Sequence, residues 1–239
     1  VKDDVVKEFK NLYKGRPLMP KLFNEEKNIE KLTGVYIPFW SYELNVSGNI
    51  DFKTSDTKTW SDYDYSYTKV DEYLTKKEAS MNYNGVLVDG SSRFDDDLMD
   101  SLEPFNFKEL VDYNHAYLSG FLAEKYDVGQ NKAIKRANLR AMNTSIAQIR
   151  KTVTKHIDYV ESNNLNIANT GTDYILLPVW MMNIDYKGKK YTFAMNGQTK
   201  EIVGNIPIDK KKAFIIFVFI FVFIIIIGVV ISILMGAQI

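Results

Sequence analysis

Between Pro38 and Gly48 the chain alternates, with Trp40, Tyr42, Leu44 and Val46 apolar or aromatic and Ser41, Glu43 and Asn45 set between them. That two-residue period belongs to a strand with one buried face. About 140 residues later the same pattern returns as Trp180, Met182, Ile184 and Tyr186. The stretches GVYIPFWSYELNVSG, from Gly34, and DYILLPVWMMNIDYKG, from Asp173, align without a gap when Pro38 is set over Pro178. Trp40 then falls over Trp180, Leu44 over Ile184 and Gly48 over Gly188. The sequence predicts a duplicated unit, a Pro-φ-Trp strand (φ being an apolar residue) that begins at Tyr36 in the first copy and runs into a turn glycine in both, with the first turn at Ser47-Gly48.

Other periodicities fill the space around these two units. Val1 to Tyr13 reads as an amphipathic helix with Val5, Val6, Phe9, Leu12 and Tyr13 on one side, closed by Gly15 and Pro17. A helical turn from Glu25 to Leu32 is expected behind Asn24 as cap. In TWSDYDYSYTKV, Tyr63, Tyr65 and Tyr67 alternate with Asp62, Asp64 and Ser66, which predicts a β-meander with one aromatic and one acidic face, ending at Asp89-Gly90. Phe107, Leu110, Val111, Asn114, Tyr117, Leu118, Phe121 and Leu122 have helical spacing with Gly129 as a stop, and a second helix is expected from Lys132 to His156. Its apolar side carries Ile134, Ala141, Met142, Ile149 and Val153. The polar run ESNNLNIANTGT then returns the chain to the second unit, followed by an Asn196-Gly197 hairpin and a strand around Ile202. The expected fold class is α+β, with antiparallel β-meanders from the two Pro-φ-Trp units flanking a central helical segment, plus one C-terminal transmembrane helix. The boundaries are 1–33 for an N-terminal helical segment, 34–208 for the soluble α+β domain with its helical middle at about 95–157, and 209–239 for the basic flank and anchor.

The anchor follows from Ala213 to Met235, 23 residues without a charge. At 1.5 Å per residue they span roughly 35 Å, enough for a hydrocarbon core of about 30 Å. Lys210, Lys211 and Lys212 precede this span and only GAQI follows it, so the positive-inside rule places the N-terminal part in the cytoplasm. The expected location is the cell membrane, single-pass, with Ile239 outside. All 30 basic and 30 acidic residues lie before Ala213, but unevenly. Residues 51–112 carry 15 acids against 7 bases, a net of −8, and residues 113–160 carry 8 bases against 3 acids, a net of +5. No cysteine is present, which removes disulfides and thiolate metal sites from these residues. The sequons at Asn45 and Asn143 are read as unmodified.

The phrases GVYIPFW, TWSDYDYSYT, VDGSSRFDDDLMDSLEPF, YLSGFLAEKYDV, LLPVW, YTFAMNGQT and VGNIP resemble a group of bacterial membrane proteins that carry an N-terminal zinc ribbon of the transcription-factor-B type. Members often bear the label of primosomal replication-restart helicases. The resemblance covers the chain from Val1 to the apolar segment and implies a zinc ribbon held by two CxxC pairs. With no cysteine here, either the ribbon lies upstream of Val1 or this member lacks it, and no zinc ligand is carried over. The turn Asn196-Gly197-Gln198-Thr199-Lys200 departs from the family by lacking a second glycine. A helicase needs a phosphate-cradling loop ending in Lys and Ser or Thr, which the sequence does not contain, so the helicase label is rejected.

Candidate chemistry is sparse. His115 and His156 each stand alone on an expected helix and read as packing or surface residues. Asp95, Asp96, Asp97, Asp100 and Glu103 are spaced to share a divalent cation, although acids that open a helix are also what its N-terminal amides require. No nucleophile elbow, HExxH pair, EF-hand loop or dinucleotide fingerprint is present. Lys132, Arg136 and Arg140 recur at four-residue intervals, Arg150, Lys151 and Lys155 extend the basic character, and no acid falls between Lys132 and Ile157. This candidate interaction face either covers the acidic meander around Asp62 and Asp64 or meets anionic lipid headgroups. The sequence points to a membrane-anchored cytoplasmic binding or scaffold module, not an enzyme, needing no cofactor in this chain. Its expected partners are the bilayer, through 213–235, and a protein. The alternative is a membrane-tethered nucleic-acid-associated protein acting through an upstream zinc ribbon, against which the zero net charge of this region speaks.

Overall fold

A computed structural model of the chain describes residues 2–29 and 31–236. Val1, Glu30 and the tail 237–239, for which the sequence carries expectations, lie outside the described residues, as does the side chain of Asn24. The chain is a mixture of helix and antiparallel sheet: α1 (Lys2–Lys14), α2 (Glu26–Ile29), β1 (Thr33–Ser61), β2 (Ser66–Asp89), α3 (Asp96–Asp100), β3 (Leu122–Ala123), α4 (Gln130–Lys151), β4 (His156–Tyr186), β5 (Lys189–Asn196), β6 (Ile202–Gly204) and α5 (Lys210–Gly236). The hydrogen-bonded order is β2-β1-β4-β5-β6, with β3 pairing β1. Two compact units divide the chain. One comprises Val1–Val35, Gly120–Leu122 and Pro178–Ile239, and the other Tyr36–Ser119 and Ala123–Leu177.

The first unit is built on the end of β4, from Pro178, and on β5. Trp180, Met182 and Ile184 of β4 and Phe193 and Met195 of β5 alternate into a core with Val5, Phe9, Met19 and Phe23. The register sets Trp180 opposite Met195 and Met182 opposite Phe193, so the large side chains stack on one face. Phe23 lies edge-on to Tyr186, Tyr191 and Phe193, with centroids 5.5 to 5.9 Å away, a preferred aromatic geometry. The strand reverses through Lys187 and Gly188, both with positive backbone φ (51° and 73°), as a tight two-residue hairpin turn requires.

In the second unit β1 and β2 pair from Phe39 opposite Asp89 to Ser61 opposite Ser66, a hairpin of 29- and 24-residue strands. Tyr42, Leu44, Val46, Ile50 and Phe52 face a core closed by α4. That helix buries Ala133, Ala137, Ala141, Ser145 and Ile149, a stripe at four-residue spacing whose first four side chains are small and let the helix approach the sheet closely. Ile134, Met142 and Val153, expected on its apolar side, are partly buried beside that stripe. Three hydroxyls are satisfied within the packing: that of Tyr42 donates to the Gln130 carbonyl at 2.8 Å, and those of Tyr83 and Ser145 are bonded to each other at 2.7 Å. Burial pushes the Tyr42 phenol up to about 12.

Several expectations are corrected. Ser47-Gly48 is no turn, because β1 continues through it. Gly48 has φ +138°, and a Cβ there would stand 2.3 Å from the Asn164 carbonyl oxygen, so the glycine permits close approach of β4. TWSDYDYSYTKV is not one strand of a meander but the end of the β1–β2 hairpin, turning at Asp62 to Tyr65. The stretch from Glu103 to Gly129 is not a long helix. It is largely irregular, with 3-10 turns at Phe107–Glu109 and His115–Leu118, each opened by an asparagine side chain that accepts an amide two residues on. The polar run ESNNLNIANTGT is itself part of β4, and the second helix, expected to reach His156, ends at Lys151, so that His156 opens a strand.

Candidate functional site

The expected basic face divides into two parts. Asp95 caps α3, its carboxylate accepting the Leu98 amide at 3.0 Å, and this short helix delivers Asp96 and Asp100 toward α4. Arg136 Nη1 donates to Asp89 and Asp96 at 2.8 Å each, and Nη2 donates to the Asp96 carbonyl at 3.0 Å and to Asp100. One turn on, Arg140 reaches Glu103 at 2.8 Å, Asp100 at 3.3 Å and the Leu87 carbonyl. Asp89 is buried, and burial pushes its carboxyl above the ordinary range, opposed by Arg136. Glu103 is raised in the same way, opposed by Arg140. Two arginines thus clamp four carboxylates, and compensation runs to Asp89, Asp96, Asp100 and Glu103 instead of Asp62 and Asp64. Further along, the Arg150 guanidinium lies 5.8 Å from the Phe52 ring centre and the Lys155 ammonium 3.8 Å from that of Tyr73. Lys132 and Lys151 are exposed.

A second feature is the hairpin end, an arm of paired strands. Its register alternates two faces, and one carries Trp60 opposite Tyr67, Lys58 opposite Lys69, Asp56 opposite Asp71 and Thr54 opposite Tyr73. Trp60 and Tyr67 stack with an interplanar angle of 16° and centroids 5.6 Å apart, yet Trp60 is 51% exposed and Tyr63, in the turn, fully so. Two like-charged pairs directly opposite one another disfavour the hairpin, while the Lys69–Asp71 contact at 3.0 Å offsets part of that cost. The turn is held by Asp62, whose carboxylate accepts the Tyr65 amide at 2.9 Å, the Asp64 amide at 3.1 Å and the Tyr67 hydroxyl at 2.9 Å. These bonds hold its carboxyl below the usual range, the Tyr65 amide contributing most. Sequence reasoning took the tyrosine alternation as one face of a meander; the exposure of Trp60 and Tyr63 was missed because alternation shows a face without showing what covers it.

The third feature is the start of α5. Lys210–Ile233 is one helix long and apolar enough to cross a membrane, and none of it is buried. Asp209 caps it, accepting the Lys211 amide at 3.0 Å, and the Asp209 amide donates to the Leu18 carbonyl at 2.8 Å. Lys212 Nζ donates to the Met19 carbonyl at 2.7 Å. The helix therefore leaves the first unit from a hydrogen-bonded base, not a slack tether.

His115 Nδ1 bonds the Tyr113 hydroxyl at 3.1 Å, and His156 lies 3.8 Å from Asp158. Among the described residues no group of three His, Cys, Asp or Glu is arranged to hold a metal ion.

No family model matches the chain, and no solved structure matches it. Among curated proteins it is similar to the uncharacterized protein YdjG of Bacillus subtilis (strain 168), 32% identical over 212 residues. The match takes in 88% of this chain and 62% of that protein, so the chain spans less than two thirds of its relative's length.

Proposed function

We propose that this chain is a membrane-anchored binding module on the cytoplasmic face, held by α5 and presenting the β1–β2 arm to a protein partner, with no catalysis of its own. The exposed arm carries the reading. Aromatic side chains that supply large contact area at small entropic cost are the residues that anchor protein interfaces, and here a stacked Trp60–Tyr67 pair stands in solvent beside Tyr63 and Tyr65. Opposed like charges, which disfavour the free hairpin, gain partners of opposite sign when a complementary surface arrives. Anchoring rests on the length and apolarity of α5, and orientation on Lys210, Lys211 and Lys212 at its start.

The test is photo-crosslinking in native membranes. A crosslinking amino acid at Tyr63 or Tyr65 is expected to capture one protein, and capture should fall at least about tenfold in a Trp60→Ala/Tyr67→Ala variant, as for loss of a hot-spot pair. Adducts no stronger than those from a crosslinker at Lys151 would overturn the proposal.

We also infer that the two Pro-φ-Trp strands are equivalent units. In support, Phe39 and Trp40 stand opposite Asp89 and Val88, while Val179 and Trp180 stand opposite Asn196 and Met195. The glycine after each partner residue donates its amide to the proline carbonyl, Gly90 to Pro38 at 2.7 Å and Gly197 to Pro178 at 2.9 Å. Membership of the zinc-ribbon group, with a role beside nucleic acid, rests on the resemblance of motifs alone.

A further inference from the structure

Beside the base of α5, within the first unit, lies an open groove of about 560 Å³. Its apolar lining is Tyr186 and Tyr191 from the two sides of the hairpin, with Ile206, Pro207 and Ile208 from the segment that leads into the helix. Its charged lining is Lys187, Lys189 and Lys210. The turn conformation at Lys187 and Gly188 sets the first of these at the hairpin tip, and its ammonium lies 5.0 Å from the Tyr186 ring centre. Among the described residues no acid lines the groove. Asp209, between Ile208 and Lys210, is engaged with the amides of Lys211 and Lys212, and Asp185, before Tyr186, stands opposite Lys190 in the hairpin.

The geometry points to a binding site for one anionic phospholipid. Three ammonium groups and two phenols suit a phosphate and its glycerol ester oxygens, and the run Ile206 to Ile208 suits the first methylenes of an acyl chain. The position completes the argument, because Lys210 is both a groove residue and the first residue of the apolar helix, which sets the groove at headgroup level when α5 is inserted. Lysines there interact with anionic lipid over a short range. This assignment rests on the anchoring reading, and it moves the lipid-facing role from α4, whose Arg136 and Arg140 are paired with carboxylates, to the hairpin and helix base.

Native mass spectrometry of the full chain released from detergent micelles tests it, with phosphatidylglycerol and phosphatidylcholine of the same acyl chains offered equally. One phosphatidylglycerol is expected to be retained at least about tenfold more often than phosphatidylcholine. A Lys187→Asn/Lys189→Gln/Lys210→Gln variant should bring the two to parity. Asparagine tolerates the positive φ at Lys187, and circular dichroism verifies the fold. A Lys58→Gln/Lys69→Gln/Lys151→Gln variant, which removes the same charge elsewhere, should keep the preference. Equal retention by the wild-type chain, a preference that survives in the groove variant, or one lost equally in the control variant would overturn the site. Retention of soluble glycerol phosphate as strong as that of the lipid would also overturn it. Carbonate extraction of native membranes tests anchoring separately: release of the chain defeats the membrane reading, whereas retention combined with equal adducts defeats the groove alone.

Discussion

Asp62 holds the arm's turn through one carboxylate, and its titration follows from that. With its carboxyl lowered in the folded chain, the stability it contributes is present above the unfolded value of about 3.9 and is lost as pH falls through the lower folded value. The carboxyl carbon of Asp62, followed by NMR, should titrate at lower pH in the folded chain than in the urea-unfolded chain, and the Trp60–Tyr67 stack should persist until the lower of the two midpoints. Coincident midpoints would mean that the turn bonds do not form in solution. Gly48 is the second decisive residue. A Gly48→Ala side chain meets the Asn164 carbonyl at 2.3 Å on a backbone with φ +138°, so thermal unfolding in detergent should show a loss of about 2 to 4 kcal/mol, whereas Gly129→Ala, with open space around it, should cost far less. The pattern Ser47-Gly48 looks like a turn because a turn and a close strand crossing ask the same thing of a residue. Only the presence of Asn164 distinguishes them.

At the scale of elements, α3 and α4 are joined by the arginine clamp. Arg136→Leu would leave the buried Asp89 without its charged partner, a change that costs about 3 to 5 kcal/mol. Adding Asp89→Asn should recover part of that loss, and additive losses in the double variant would show the two side chains to be uncoupled. The sequence made the charge excesses of 51–112 and 113–160 legible, and with them the prospect of internal pairing. It did not identify the partners, because Arg136 meets Asp89 and Asp100 across 47 and 36 residues. The Trp180, Met182, Ile184 alternation was legible because a core stands behind it. The helical spacing from Phe107 to Leu122 misled for the converse reason: Phe107, Leu110, Val111 and Tyr117 are exposed, and the asparagines at 106 and 114 open short turns that no long helix continues.

For the whole molecule, the apolar segment and its lysine flank were the most legible features, since a span of this kind is fixed by composition and needs no tertiary partner. The expected α5 runs from Ala213 to Met235 and the observed helix from Lys210 to Gly236, so the lysines belong to its first turn. If they face the cytoplasm, protease added to intact cells should leave both units uncut, and permeabilised cells should yield fragments cut at the exposed arm. Efficient cleavage in intact cells would reverse the orientation.

The hydrogen bonds at the base of α5 have a mechanical meaning. Because Asp209 is tied to Leu18 and Lys212 to Met19, a force that tilts or draws on the helix loads the segment after α1 at once, with no slack to take up. Met19 belongs to the core that holds Phe9 and Phe23, so if α5 lies in a bilayer, a change in the thickness of that bilayer would be felt in the packing of those rings.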